Sequence, residues 1–198
     1  MKPEPIILAF DTSVAHCAAA LLSGDAVLGE RVEPMTKGQA ERLFQLLEEL
    51  LVEADISWSD LHAIGVGTGP GNFTGIRISV SAARGLALSL GIPAVGVSSF
   101  EAQAFGLRRP ITSLIDARRD QIYVQELSSG GACEPILIPK EIAPDQNTVG
   151  PTDKVSPAAI ARIAAQRYFD ANLPRPAPLY VRAPDAAPPR DPAPAILP

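Results

Sequence analysis

The sequence is short of residues that staple, chelate or cross a bilayer. It has two cysteines, Cys17 and Cys133, and two histidines, His16 and His62. Two cysteines without motif spacing exclude a disulfide framework and point to a reducing cytoplasm. Two histidines far apart in sequence give no HxxxH pair, so a metal site or metallopeptidase centre is not expected. Long apolar runs are missing too. The first is only Ile6 to Phe10, too short for a signal-peptide core, and nothing later approaches a membrane span. Positive charge is scarce, with 17 Lys and Arg against 22 Asp and Glu and a net charge of -5. Such a chain is a poor non-specific binder of nucleic acid, so any RNA contact needs a partner with a basic surface. Ser13, Ser98 and Ser99 lie in no GxSxG and read as caps and turns rather than nucleophiles.

What is present is an ordered run of elements. PIILAFD (5–11) reads as a buried strand, followed by strands over 16–22 and 26–33 joined by the turn Ser23-Gly24-Asp25. Helical spacing then runs from Lys37 to Ala54, with Thr36 and Gln39 at capping-box spacing. A strand over 61–67 leads through a glycine-rich turn into a helix from about Thr74 to Leu90, which Gly91 ends. PAVGV opens the next strand, and Ser98 with Glu101 caps a short helix. The pattern β-β-β-α-β-α-β-α predicts a mixed sheet flanked by helices over residues 1–107. A smaller unit over 108–183 holds a hairpin (111–116 and 121–127), a weak strand at 134–139 and a helix from Ser156-Pro157 to about Phe169. Residues 184–198, PDAAPPRDPAPAILP, can build neither helix nor sheet and read as a disordered tail.

The turn GTGPGNFTG (67–75) resembles a phosphate loop but fits neither common pattern. It lacks the lysine of GxxxxGK[ST], and Asn72 stands where GxGxxG needs its third glycine. Free N–H groups at the following helix could still hold an anion. Equally, the glycines could let the turn pass close under a neighbouring backbone.

Several stretches together carry a family resemblance. FDTS (10–13), GTGPGNFTGIRISVSAARGLA (67–87), IPAVGVSS (92–99), IDARRDQIYVQ (115–125) and PLYVR (178–182) resemble the TsaB (YeaZ) family, in the family's order and over nearly the whole chain. The resemblance implies an α/β actin/Hsp70-like (ASKHA) fold of two lobes, each with a mixed sheet flanked by helices. The second lobe is expected to be reduced. Active members of that group hold ATP and magnesium between two hairpins. Asp11, Thr12 and Ser13 retain the first hairpin's chemistry, whereas Arg118 and Arg119 put bulk into the second. The implied nucleotide site is half lost, with Asp11, Thr12, Ser13 and Arg77 as its remnant and no cofactor held by the chain alone.

The resemblance also implies a role. TsaB-like proteins are non-catalytic partners of a TsaD-type subunit that transfers threonylcarbamoyl to tRNA adenosine 37, with a TsaE-type ATPase completing the assembly. tRNA is reached only through the complex, ATP or ADP sits at the interface, and the free chain can pair with itself. Both long helices carry more apolar residues than one stripe needs. The resemblance assigns Leu43, Phe44, Leu47, Leu51, Ile76, Arg77, Val80 and Ala83 to the partner interface. Rival readings are an ATP-dependent kinase or ATPase of the same group, favoured by Asp11, and a peptidase.

Overall fold

The computed structural model describes residues 4–152 and 154–181; the tail expected at 184–198 lies outside the described residues. Strands β1 (Ile6–Asp11), β2 (His16–Ser23) and β3 (Ala26–Pro34) form an antiparallel meander. Helix α1 (Gln39–Glu53), strand β4 (Ala63–Gly67), helix α2 (Phe73–Leu90), strand β5 (Ala94–Val97) and the short helix α3 (Ser99–Gln103) follow. The first sheet has the order β3-β2-β1-β4-β5, with β4 parallel to both β1 and β5.

This sheet is covered on both sides, which is why β1 and β4 are apolar without alternation. One face carries large side chains, Leu8, Phe10, Leu21, Ile64 and Val66, and receives α1 and α2. The other carries small ones, including Ala9 and Ala63, and receives α4 (Pro157–Arg167) through Ile160, Ala161, Ile163 and Ala164. The fit is close: a Cβ on Gly65 would stand 3.0 Å from Ala9 Cβ and 3.1 Å from Ala164 Cβ. An alanine-rich helix suits a face of small residues because both surfaces are flat enough to approach. The sequence division grouped this helix with residues 108–183; in the structure it packs on the first sheet.

The second sheet is small. Strands β6 (Ile111–Ala117) and β7 (Gln121–Ser128) form its hairpin. β7 also pairs with β8 (Gly131–Ala132) and β9 (Ile136–Pro139), while β10 (Thr148–Thr152) runs parallel to β6. β10 was not expected from the sequence: Gly150 and Pro151 interrupt it, and its register shifts there. The Ser98–Glu101 capping box, the Ser156 cap with Pro157 and the Gly91 terminus all form. At α1 the cap is Gly38 in a left-handed conformation rather than Thr36, and Gln39 donates instead to the Met35 carbonyl at 3.1 Å.

The interface expectation requires correction. Leu43, Leu47, Leu51, Ile76, Val80 and Ala83 are all buried in the core between the two helices and the sheet. The stripe assigned to a partner is the stripe that faces the sheet, because the sheet takes the most continuous apolar side of each helix. Only Phe44 and Arg77 of the eight reach the surface. Val80→Glu should therefore place an unpaired carboxylate in the core, cost about 4–5 kcal/mol and unfold much of the chain. Leu88→Glu, at an exposed position of the same helix, should melt with the wild type; circular-dichroism melts of the two variants separate the stripes.

The two thiols differ in the same way. Cys17 is buried between β2 and α1, and burial, reinforced by Glu33, pushes its thiol up to about 11. Cys133 is exposed. Since the thiolate is the reactive form, a thiol reagent at neutral pH should label Cys133 alone in the folded chain and Cys17 only after denaturant is added.

Candidate functional site

The hairpin between β1 and β2 and the glycine turn between β4 and α2 meet at the carboxyl edge of the first sheet. Asp11 ends β1 with its carboxylate turned inward. Its Oδ1 accepts from the Ser13 backbone N–H and Ser13 Oγ, both at 2.9 Å, and contacts His16 Nε2 at 2.8 Å. Its Oδ2 lies against Gly67, where a Cβ would collide with it, and has no hydrogen-bond partner among the described residues. Thr12 Oγ1 donates to the Gly75 carbonyl at 2.6 Å, and Asn72 N donates to the Ser13 carbonyl at 2.6 Å. Asn72 then caps α2 by accepting from Gly75 N at 3.0 Å.

These bonds answer what the glycine turn is for. A Cβ on Gly71 would collide with the Ser13 carbonyl oxygen, and one on Gly75 with that of Thr12. The glycines let the start of α2 cross directly under the β1–β2 hairpin. Asp11, Thr12 and Ser13 are fully buried, and apart from Asp11 Oδ2 their side-chain polar atoms bond to one another, to His16 or to the turn.

The remnant nucleotide site read from the sequence is accordingly corrected at Asp11, Thr12 and Ser13, because all three are fully buried against the start of α2. The second hairpin does not supply a replacement. Asp116 is held by Lys140 Nζ at 3.0 Å, and Arg118 and Arg119 crown the exposed turn. ATP with magnesium does not fit these residues, and no phosphoryl-transfer step follows from them. Among the described residues there is no group of three His, Cys, Asp or Glu placed to hold a metal. His62 accepts from Ile6 N through Nδ1 at 3.1 Å. The His16–Asp11 contact was not foreseen. Its signal was the five-residue spacing of the two across a turn.

Arg77 lies elsewhere than a nucleotide reading needs, exposed near the start of α2. Its guanidinium carbon stands 3.8 Å from the Phe73 ring centre, and its Nε donates to Tyr180 Oη at 2.9 Å. Phe73 and Tyr180 stack with centres 4.9 Å apart. Tyr180 arrives on a strap, residues 173–181, whose Pro176 is buried beside Gly96 and whose Leu179 N donates to the Thr68 carbonyl at 2.8 Å. Beyond Arg77, the solvent side of α2 shows Ser81, Arg84 and Leu88, and that of α1 shows Glu41, Phe44, Glu48 and Val52. Phe44, Val52 and Leu88 are 46%, 79% and 86% exposed, large values for such side chains. No described helix is long and apolar enough to cross a membrane.

A meander followed by alternating helices and parallel strands, joined to a smaller mixed sheet, defines an actin-like α/β protein, here with its first hairpin covered by the start of its own second helix. The family model described as "TsaD: tRNA N6-adenosine threonylcarbamoyltransferase" matches residues 31–183. The chain is 36% identical over 148 residues to the tRNA threonylcarbamoyladenosine biosynthesis protein TsaB of Bacillus subtilis, and 34% identical over 125 residues to that of Escherichia coli. Those matches cover 72% and 61% of this chain but only 62% and 54% of the relatives. The crystal structure of YeaZ from Pseudomonas aeruginosa superposes with a TM-score of 0.71 at 25% identity, over 89% of this chain and 99% of that one. The chain belongs to the TsaB (YeaZ) family, within the wider family that the threonylcarbamoyltransferase model describes.

The closeness of the crossing makes it testable. Gly75→Ala should force α2 away from the hairpin and cost about 2–3 kcal/mol, as overpacking does elsewhere. Gly85→Ala, in open space on the same helix, should be neutral or stabilising; denaturant midpoints of the pair give the comparison.

Proposed function

We propose that this chain is a non-catalytic scaffold that docks a TsaD-type catalytic subunit for the threonylcarbamoyl modification of tRNA adenosine 37. The observation that carries this reading is the exposure of Phe44, Val52 and Leu88 on two helices lying side by side. Large apolar side chains left in water on adjacent elements mark a surface that associates. The burial of Asp11, Thr12 and Ser13 against the start of α2 favours the same reading over a kinase or ATPase. The docking side is not the stripe first assigned but its opposite. It consists of the solvent faces of α1 and α2, with Phe44 and Arg77 common to both.

On this reading a TsaE-type ATPase joins the assembly, tRNA reaches the chain only through the complex, and any ATP or ADP belongs to the interface with the catalytic subunit. The free chain pairs with itself through the same faces, because an isologous contact is the simplest way to cover an unpartnered patch. The setting is the cytoplasm.

The test is reconstitution of tRNA modification from threonine, bicarbonate and ATP with TsaC-, TsaD- and TsaE-type proteins, with and without this chain. Product is expected only when the chain is present. Leu88→Glu and Phe44→Glu should reduce both product and binding of the TsaD-type subunit at least tenfold while the chain stays folded. Equal product without the chain would refute the scaffold role.

A further inference from the structure

The solvent face of α2 carries a feature that apolar docking does not account for. Most arginines with a described ion pair have a carboxylate within their own neighbourhood: Arg31 with Glu53, Arg42 with Glu33 and Glu49, Arg167 with Glu101. Arg77 has none among the described residues. It is nevertheless fixed in place. Phe73 supports the plane of its guanidinium, and Tyr180, 103 residues away in sequence, accepts its Nε–H. Tyr180 is itself held by its stack on Phe73 and by the neighbouring Leu179–Thr68 backbone bond. The two terminal NH2 groups make no hydrogen bond among the described residues. A planar donor fork immobilised at its inner edge and free at its outer edge is built to receive a planar oxyanion.

We propose that Arg77, clamped by Phe73 and Tyr180, is the ion-pair anchor of the docking surface and takes a side-chain carboxylate from a helix of the docked protein. The proposal rests on the docking reading above and deepens it. A carboxylate is favoured over a phosphate by what surrounds the site. The adjacent helix α1 exposes Glu41 and Glu48 outside the ion pairs that hold Glu49 and Glu53, and the chain as a whole carries a net charge of -5, both of which disfavour a polyphosphate or an RNA backbone more than a single carboxylate. Arg84 lies two helical turns further along α2, about 10 Å away at 1.5 Å per residue, exposed and also without an ion pair among the described residues. The matching partner helix carries acidic residues seven apart and meets Leu88 with an apolar one. The strap gives the anchor its selectivity. With Nε and the ring face committed beforehand, the guanidinium loses little freedom on binding, which strengthens the contact without adding one.

The experiment measures binding of the full-length chain to the TsaD-type subunit at several salt concentrations, for wild type, Arg77→Gln, Arg77→Lys and Tyr180→Phe. Thermal melts accompany each variant. Arg77→Gln should weaken binding about tenfold and flatten the salt dependence. Arg77→Lys should lose nearly as much, because an ammonium restores charge but neither the fork nor the stack. Tyr180→Phe, which deletes only the hydroxyl, should weaken binding about threefold with an unchanged melt. The Arg77 Nε–H resonance of the free wild-type chain should be sharp, and broadened in Tyr180→Phe. Wild-type affinity retained by Arg77→Lys and Tyr180→Phe would overturn the anchor while leaving docking intact. A shift of that resonance on adding ATP or tRNA to the free chain would overturn the carboxylate assignment in favour of a phosphate. Failure of the wild type to bind at all would remove the docking reading, and the anchor with it.

Discussion

The fold hinges on one backbone crossing. Where α2 begins, Gly71 and Gly75 pass against the carbonyl oxygens of Ser13 and Thr12 with no room for a side chain. Two bonds lock the crossing, Asn72 N to Ser13 O and Thr12 Oγ1 to Gly75 O. Because helix and hairpin are fixed to each other there, the direction of α2 over the sheet is set at its first turn. So is the position of Phe73 and Arg77 at the molecular surface. The same contact buries Asp11, Thr12 and Ser13 completely. A single constraint thus closes the hairpin and orients the outer face of α2.

The rest of the first lobe follows from the unequal faces of its sheet. The side with Leu8, Phe10, Ile64 and Val66 needs bulky helices with leucine-rich stripes, and α1 and α2 supply them. The side with Ala9, Ala63 and Gly65 accepts only a helix that can lie close, and α4 supplies small residues at the contact. That helix comes from the far end of the chain, so the strap that follows it must return across the ends of β4 and β5. This route brings Tyr180 to Phe73. The order of elements is therefore not separable from the geometry at Arg77: α4 covers the sheet, and its exit delivers the clamp.

The local pattern made much of this legible in advance. β1 to β5, the three intervening helices, the Ser98–Glu101 capping box and the β6–β7 hairpin all lie where apolar period and turn residues put them. Close backbone passage was one of two readings open for the glycine turn. Three things were hidden for physical reasons. Both long helices have apolar residues on more than one side, so a helical projection cannot tell which side the sheet takes; Val80 and Phe44 look equivalent until the sheet is placed. α4 is separated from β1 by over a hundred residues, and no local signal assigns it to one lobe or the other. The clamp joins Arg77 to Tyr180 across the same kind of distance. Hydroxyl and guanidinium carry no mark in sequence that they will meet.

The division of each helix into two sides has a consequence for how such a surface can change. Leu43, Leu47, Ile76 and Val80 contribute to folding through burial, on the order of 1.5–3 kcal/mol each. Phe44, Val52, Arg84 and Leu88 contribute little to folding because water already reaches them. Substitutions on the outer sides therefore leave the core intact and alter only what the helices recognise. Charge is divided in parallel: α1 exposes Glu41 and Glu48, while Arg77 and Arg84 of α2 are exposed with no ion pair among the described residues. On the docking reading proposed above, a partner for this face would present the reverse order, basic opposite α1 and acidic opposite α2. Apolar contact alone would tolerate either orientation. The charge order favours one, and the Arg77 guanidinium, held by Phe73 and Tyr180 at the start of α2, is the part of that order already fixed in the free chain.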